Sequence, residues 1–86
     1  MKLKFDFIIQ EVADKFMAVA KNAETEEVEK VLNLNETGAI ILRALQDGAD
    51  NPAIVSQLLA EYDVSQQEAE AEVNNFIDML KENGIA

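Results

Sequence analysis

Neither cysteine nor histidine occurs in this sequence. Their absence removes the imidazole base, the thiolate nucleophile, disulfide cross-links and any zinc or iron site built on the usual nitrogen and sulfur ligands. Carboxylates alone can still move protons, but they need a cleft in which burial separates two pKa values. A chain of 86 residues has little volume for one. No enzyme activity, no metal and no cofactor is therefore expected. Long apolar runs are missing too, since nothing approaches the roughly 20 residues that cross a bilayer. The N-terminal stretch meets Asp6, Gln10 and Glu11 too early for the apolar region of a signal peptide. Cytoplasm is the expected compartment.

Basic residues are scarce: seven Lys and Arg stand against 17 Asp and Glu, for a formal net charge of −10. After Arg43 the next basic residue is Lys81, and between them lie Asp47, Asp50, Glu61, Asp63, Glu68, Glu70, Glu72 and Asp78. Most of these carboxylates read as a solvated face. Even so, such a surface repels phosphate backbones and anionic membranes, so neither nucleic acid nor membrane is an expected partner.

What the chain has in quantity is apolar side chain, 49% of the residues, which suits a globular core and not a disordered tail. Residues 1–86 are too few to fill two cores and are read as a single domain.

The first third reads as strands. Phe5–Ile9 and Lys15–Ala20 are rich in aromatic and β-branched residues and flank a turn-like Ala13-Asp14. After a polar stretch from Lys21 to Glu27, the run Val28–Leu34 alternates, with Leu32 and Leu34 on one face and Val31 and Asn33 on the other. Glu24 to Lys30 alone also fits a helical turn. The remainder reads as three helices. Asn35 caps the first, from Glu36 to Gln46, with Ile41, Leu42 and Leu45 as its core stripe and Asp47-Gly48 as its stop. Asn51 caps the second, with Pro52 at the first helical position and Val55, Leu58, Leu59 and Tyr62 on one face. Ser65 opens the third through a Ser-Gln-Gln-Glu capping box, Ala69, Val73, Phe76, Ile77 and Leu80 form its stripe, and Asn83-Gly84 ends it.

The expected fold class is thus α+β: an N-terminal three-stranded antiparallel sheet followed by three helices, with helix-turn-helix spacing at 51–82 and a winged-helix-like outline. A DNA reader would place Lys or Arg against phosphates and aim polar side chains at base edges. The third helix instead carries Glu68, Glu70, Glu72 and Asp78, so a DNA-binding regulator is the weaker alternative despite the outline. An acidic carrier-like protein is another. It would need a serine for a prosthetic arm, and Ser56 and Ser65 both stand in ordinary Val-Ser-Gln contexts.

The segment Leu32-Asn33-Leu34-Asn35-Glu36-Thr37-Gly38-Ala39 resembles the strand-to-helix junction of the PqqD family, whose relatives are also called RiPP recognition elements. The likeness continues through Ile40-Ile41-Leu42, Asp47-Gly48, Ile54-Val55, Leu58-Leu59, Tyr62-Asp63-Val64, Glu72-Val73, Phe76-Ile77, Leu80 and Gly84-Ile85, with Glu72 where the family usually has Asp. The resemblance implies a non-catalytic adaptor. Its third strand would hold the leader segment of a ribosomally made precursor peptide by strand addition, beside the third helix. It would then present that peptide to a modifying enzyme, a radical S-adenosylmethionine enzyme in the PqqD case. The peptide-binding candidates are Glu29, Lys30, Val31, Leu32 and Asn33 on the strand and Glu68, Glu72, Asn75, Phe76 and Met79 on the helix. Each has a simpler account. Phe76 sits on the core stripe, Glu72 fits either a solvated position or a partner for Lys30 or a basic leader residue, and Met79 fits a core edge as well as an adaptable contact. Asn35, Gly38, Asp47, Gly48 and Pro52 read as caps and turns. An unpaired third strand could also join a second copy, so a monomer or weak homodimer is expected.

Overall fold

The computed structural model describes residues 3, 5–22 and 24–86. Three strands, β1 (Asp6–Val12), β2 (Lys15–Lys21) and β3 (Val28–Leu34), precede three helices, α1 (Glu36–Gln46), α2 (Asn51–Glu61) and α3 (Gln66–Glu82). The sheet is antiparallel in the order β1-β2-β3, so β2 is central and the other two are edges. This is the expected α+β arrangement.

β1 runs past the expected Phe5–Ile9 window because its turn is tight. Val12 pairs directly with Lys15, leaving Ala13 and Asp14 as a two-residue turn with φ of +50° and +65°. That backbone matches the right-handed twist of the strands, although Asn and Gly fit it better than Ala. The helical reading of Glu24 to Lys30 does not hold. Asn22 Oδ1 accepts the Glu24 and Thr25 N–H groups at 2.8 and 3.2 Å, and the turn so formed delivers the chain into β3. β3 opens with a bulge: Ala20 pairs with Lys30 but Lys21 pairs with Val28, so Glu29 is the extra residue.

The core lies between one face of the sheet and the helices. Ala18 and Ala20 on β2 are wholly buried, and their small side chains let Ile41, Leu42 and Leu45 of α1 pack close to the sheet. Two expectations for α2 need correcting. Its cap is Asp50, whose side chain accepts the Ala53 N–H at 3.0 Å, so Asn51 is already helical. Ile54 is fully buried whereas Leu59 is 38% exposed, which rotates the core face of this helix away from the expected stripe. Ser65 caps α3 by accepting the Glu68 N–H at 3.1 Å. The return arm of the box differs, with the Glu68 carboxylate accepting from the Ser65 hydroxyl instead of the backbone. Among the described residues no helix is long and apolar enough to cross a membrane.

Candidate functional site

The two edges of the sheet are distinguished by where their peptide groups point. The Phe7 N–H donates to the Gln46 side-chain oxygen at 2.7 Å, so it faces away from β2. Peptide groups alternate in direction along an antiparallel strand. Phe7, Ile9 and Glu11 therefore face the free edge of β1, while Ile8, Gln10 and Val12 bond β2. The two-residue turn requires the same phase, because its flanking pair, Val12 and Lys15, is mutually hydrogen-bonded. On β2, Phe16, Ala18 and Ala20 then face β3, and their partners Leu34, Leu32 and Lys30 bond inward. That leaves the peptide groups of Val31 and Asn33 pointing out of the open edge of β3.

Beside that edge lies a gap. It is a separation of backbones, no Cα of β3 coming within 8 Å of a Cα of α3 among the described residues, and side chains bridge it at two places. At one end the Lys30 ammonium donates to the Asn83 backbone carbonyl. A cation there also suits the negative end of the helix dipole. At the other end Leu34, Asn35 and Phe76 converge on Gly38. A Cβ at that position would stand 3.1 Å from Asn35 Oδ1, 3.2 Å from the Phe76 ring and 3.6 Å from the Leu34 Cβ. Gly38, expected to serve a cap or turn, thus permits a close approach of three elements.

The side chains bordering the gap are apolar at the bottom and acidic at one rim. Leu32, Leu34, Phe76 and Met79 are half-buried and packed against the core. Glu68, Glu72 and Asn75 are exposed on α3, and Glu29 is exposed at the bulge. Val31 and Asn33 point to the outer face of the sheet, away from the helices, with Val31 53% exposed. Lys30 is half-buried through its reach to α3, so the alternative pairing with Glu72 is not the one made. A separate cavity of about 120 Å³ lies between the helices, lined by Thr37, Leu58, Tyr62, Val64, Glu68, Ala69 and Glu72. The Tyr62 hydroxyl donates to Glu36 at 2.8 Å, and its pKa is raised, first by desolvation and then by that carboxylate.

Several contributors escape a reading of the sequence. Gln46 on the β1 edge and Asn83 at the end of the gap act through contacts 39 and 53 residues distant along the chain, for which there is no local signal. Leu34 was legible in principle, because it continues the alternation of Leu32. Thr37 and Tyr62 gain their place from the junction of α1 with α2 and α3.

A family model described as Coenzyme PQQ synthesis protein D (PqqD) matches residues 17–86. No curated protein matches the chain. Two solved structures are similar over nearly its whole length. One is TbiB1 in complex with the TbiA(beta) leader peptide, with a TM-score of 0.74 and 21% identity, covering 99% of this chain and 93% of that one. The other is lasso peptide synthetase B1 complexed with the leader peptide, with a TM-score of 0.72 and 25% identity, covering 98% of this chain and 93% of that one. The family match begins within β2, whereas both structural matches take in β1 as well.

Proposed function

The chain belongs to the PqqD family, and from that premise we propose that it is a non-catalytic, cytoplasmic peptide-binding adaptor. It takes the leader segment of a ribosomally made precursor peptide as a fourth strand on β3 and presents that peptide to a modifying enzyme of the radical S-adenosylmethionine type. The observation that carries the reading is the pairing of an open edge with a gap. Val31 and Asn33 each offer one N–H and one C=O to an incoming strand, and the space beside them receives its side chains. Glu29 to Asn33 form the docking strand, Phe76 and Met79 the apolar wall, and Glu68, Glu72 and Asn75 the polar rim. That two structures of similar fold hold leader peptides supports a leader peptide as the ligand. The adaptor performs no chemistry and acts by raising the effective concentration of the precursor at the enzyme.

The test uses the leader peptide of the precursor encoded beside this gene. Calorimetric titration is expected to give saturable binding, and modification of the full precursor by its enzyme is expected to accelerate when this chain is added. Equal modification rates with and without the chain would count against the adaptor role.

A further inference from the structure

The outer face of the sheet carries an apolar cluster open to water among polar neighbours such as Gln10, Lys15 and Asn33. Ile8 is 44% exposed, Met17 36% and Val31 53%, and Val19 is half-buried among them. The register sets Ile8, Val19 and Val31 side by side in one row across all three strands. The row starts at the β1 edge, which Gln46 occupies at Phe7, and it stops at the open edge of β3. A face-to-face pair of copies is a poor explanation. Seven-residue strands at normal spacing give a face of about 23 Å by 14 Å, or roughly 300 Å², well short of the roughly 800 Å² per partner of a stable interface.

A strand added to β3 must extend this row. Whichever direction it runs, the residue opposite Val31 has its side chain on the same face as Val31, with Cβ atoms about 4.5–5.5 Å apart. Its two neighbours alternate to the other face. There they enter the gap beside Leu32, Phe76 and Met79. An ordinary half-buried strand needs apolar side chains on one face only, but here both faces of the docking position are apolar.

We propose that this chain selects its leader on both faces of the added strand, requiring three consecutive apolar residues of which the central one is β-branched or aromatic and packs on Val31. Val31 is then a specificity-determining residue, although it lies outside the groove. The inference rests on the adaptor reading above and adds to it a sequence requirement on the peptide.

The test is a scan of the synthetic leader in which each position becomes Thr in turn, with affinity measured by calorimetry against the wild type and Val31→Thr. Threonine is a good strand former of the same shape as valine, and an unchanged amide spectrum verifies the fold of the variant. Three adjacent positions are expected to be sensitive. Substitution at the central one weakens binding roughly two- to fivefold, the size of a cross-strand apolar pair. In Val31→Thr that central loss is expected to disappear while the two flanking losses persist. Sensitive positions that strictly alternate with tolerant ones would overturn the proposal and leave the adaptor reading standing, as would flanking and central losses that Val31→Thr leaves unchanged. A leader that the wild type does not bind at all would overturn both.

Discussion

The two edge strands of one small sheet face opposite fates. On β1 the outward N–H of Phe7 is taken by the Gln46 side chain, which reaches back from the end of α1. On β3 the outward peptide groups of Val31 and Asn33 have no hydrogen-bond partner among the described residues, and Lys30 at one end and the Gly38 junction at the other connect the strand to the α3 region. An open sheet edge is a template for pairing with any chain, and proteins commonly blunt it. Here one edge is blunted at a single donor, Phe7, and the other is framed.

Proline substitutions break the comparison most severely. Leu32→Pro removes an N–H that bonds β2 and is expected to destabilise the fold by about 3 kcal/mol or more, measured by urea unfolding. Val31→Pro, one residue earlier, removes an outward N–H. It should leave the chain folded, because proline is tolerated where an edge N–H faces solvent, yet lower leader affinity by roughly tenfold through the lost main-chain bond and the altered strand. The reverse order, with Val31→Pro unfolding the chain and Leu32→Pro tolerated, would mean that the peptide groups of β3 are in the opposite phase.

Gln46→Ala uncovers the other edge. A stability loss of about 1 kcal/mol is expected, the size of one hydrogen bond, together with self-association that rises with concentration in sedimentation and an unchanged leader affinity. Lys30→Met tests the frame of the gap. Loss of the cation at the α3 C-terminus should destabilise by about 0.3–1 kcal/mol in urea unfolding. The smallest effect is expected at the far end of the β1–β2 hairpin. Ala13 holds φ +50°, so Ala13→Gly should stabilise the chain by about 0.5–1 kcal/mol in urea unfolding, without altering leader binding.

Much of this architecture was legible because its signals are local. Asn35 and Ser65 cap their helices by bonding amides three residues ahead, and Gly84 takes φ +71° after the last helix, all within one turn of chain. The errors have physical causes. Asp50 and Asn51 are adjacent cap formers, and which one caps depends on how the chain enters α2, a tertiary matter. Leu59 and Ile54 both fit a helical stripe, and the rotation that buries Ile54 is fixed by what α2 packs against. At the site, Val31 stood out as an apolar residue on the outer side of an alternating strand. The plug at Gln46 and the Lys30–Asn83 closure left no trace in the sequence, because each is settled by a partner far along the chain, and the bulge at Glu29 depends on the register with β2.

The central claim is that β3 receives a strand through Val31 and Asn33, and residue-resolved amide hydrogen exchange tests it most directly, with and without a saturating leader peptide. In the free chain the amides of Lys30, Leu32 and Leu34 are expected to be protected and those of Val31 and Asn33 to exchange freely. Peptide should protect Val31 and Asn33 while leaving Ile9 and Glu11 on β1 unchanged. Protection arising on β1 instead, or bound peptide that leaves Val31 and Asn33 exchanging as before, would contradict the account.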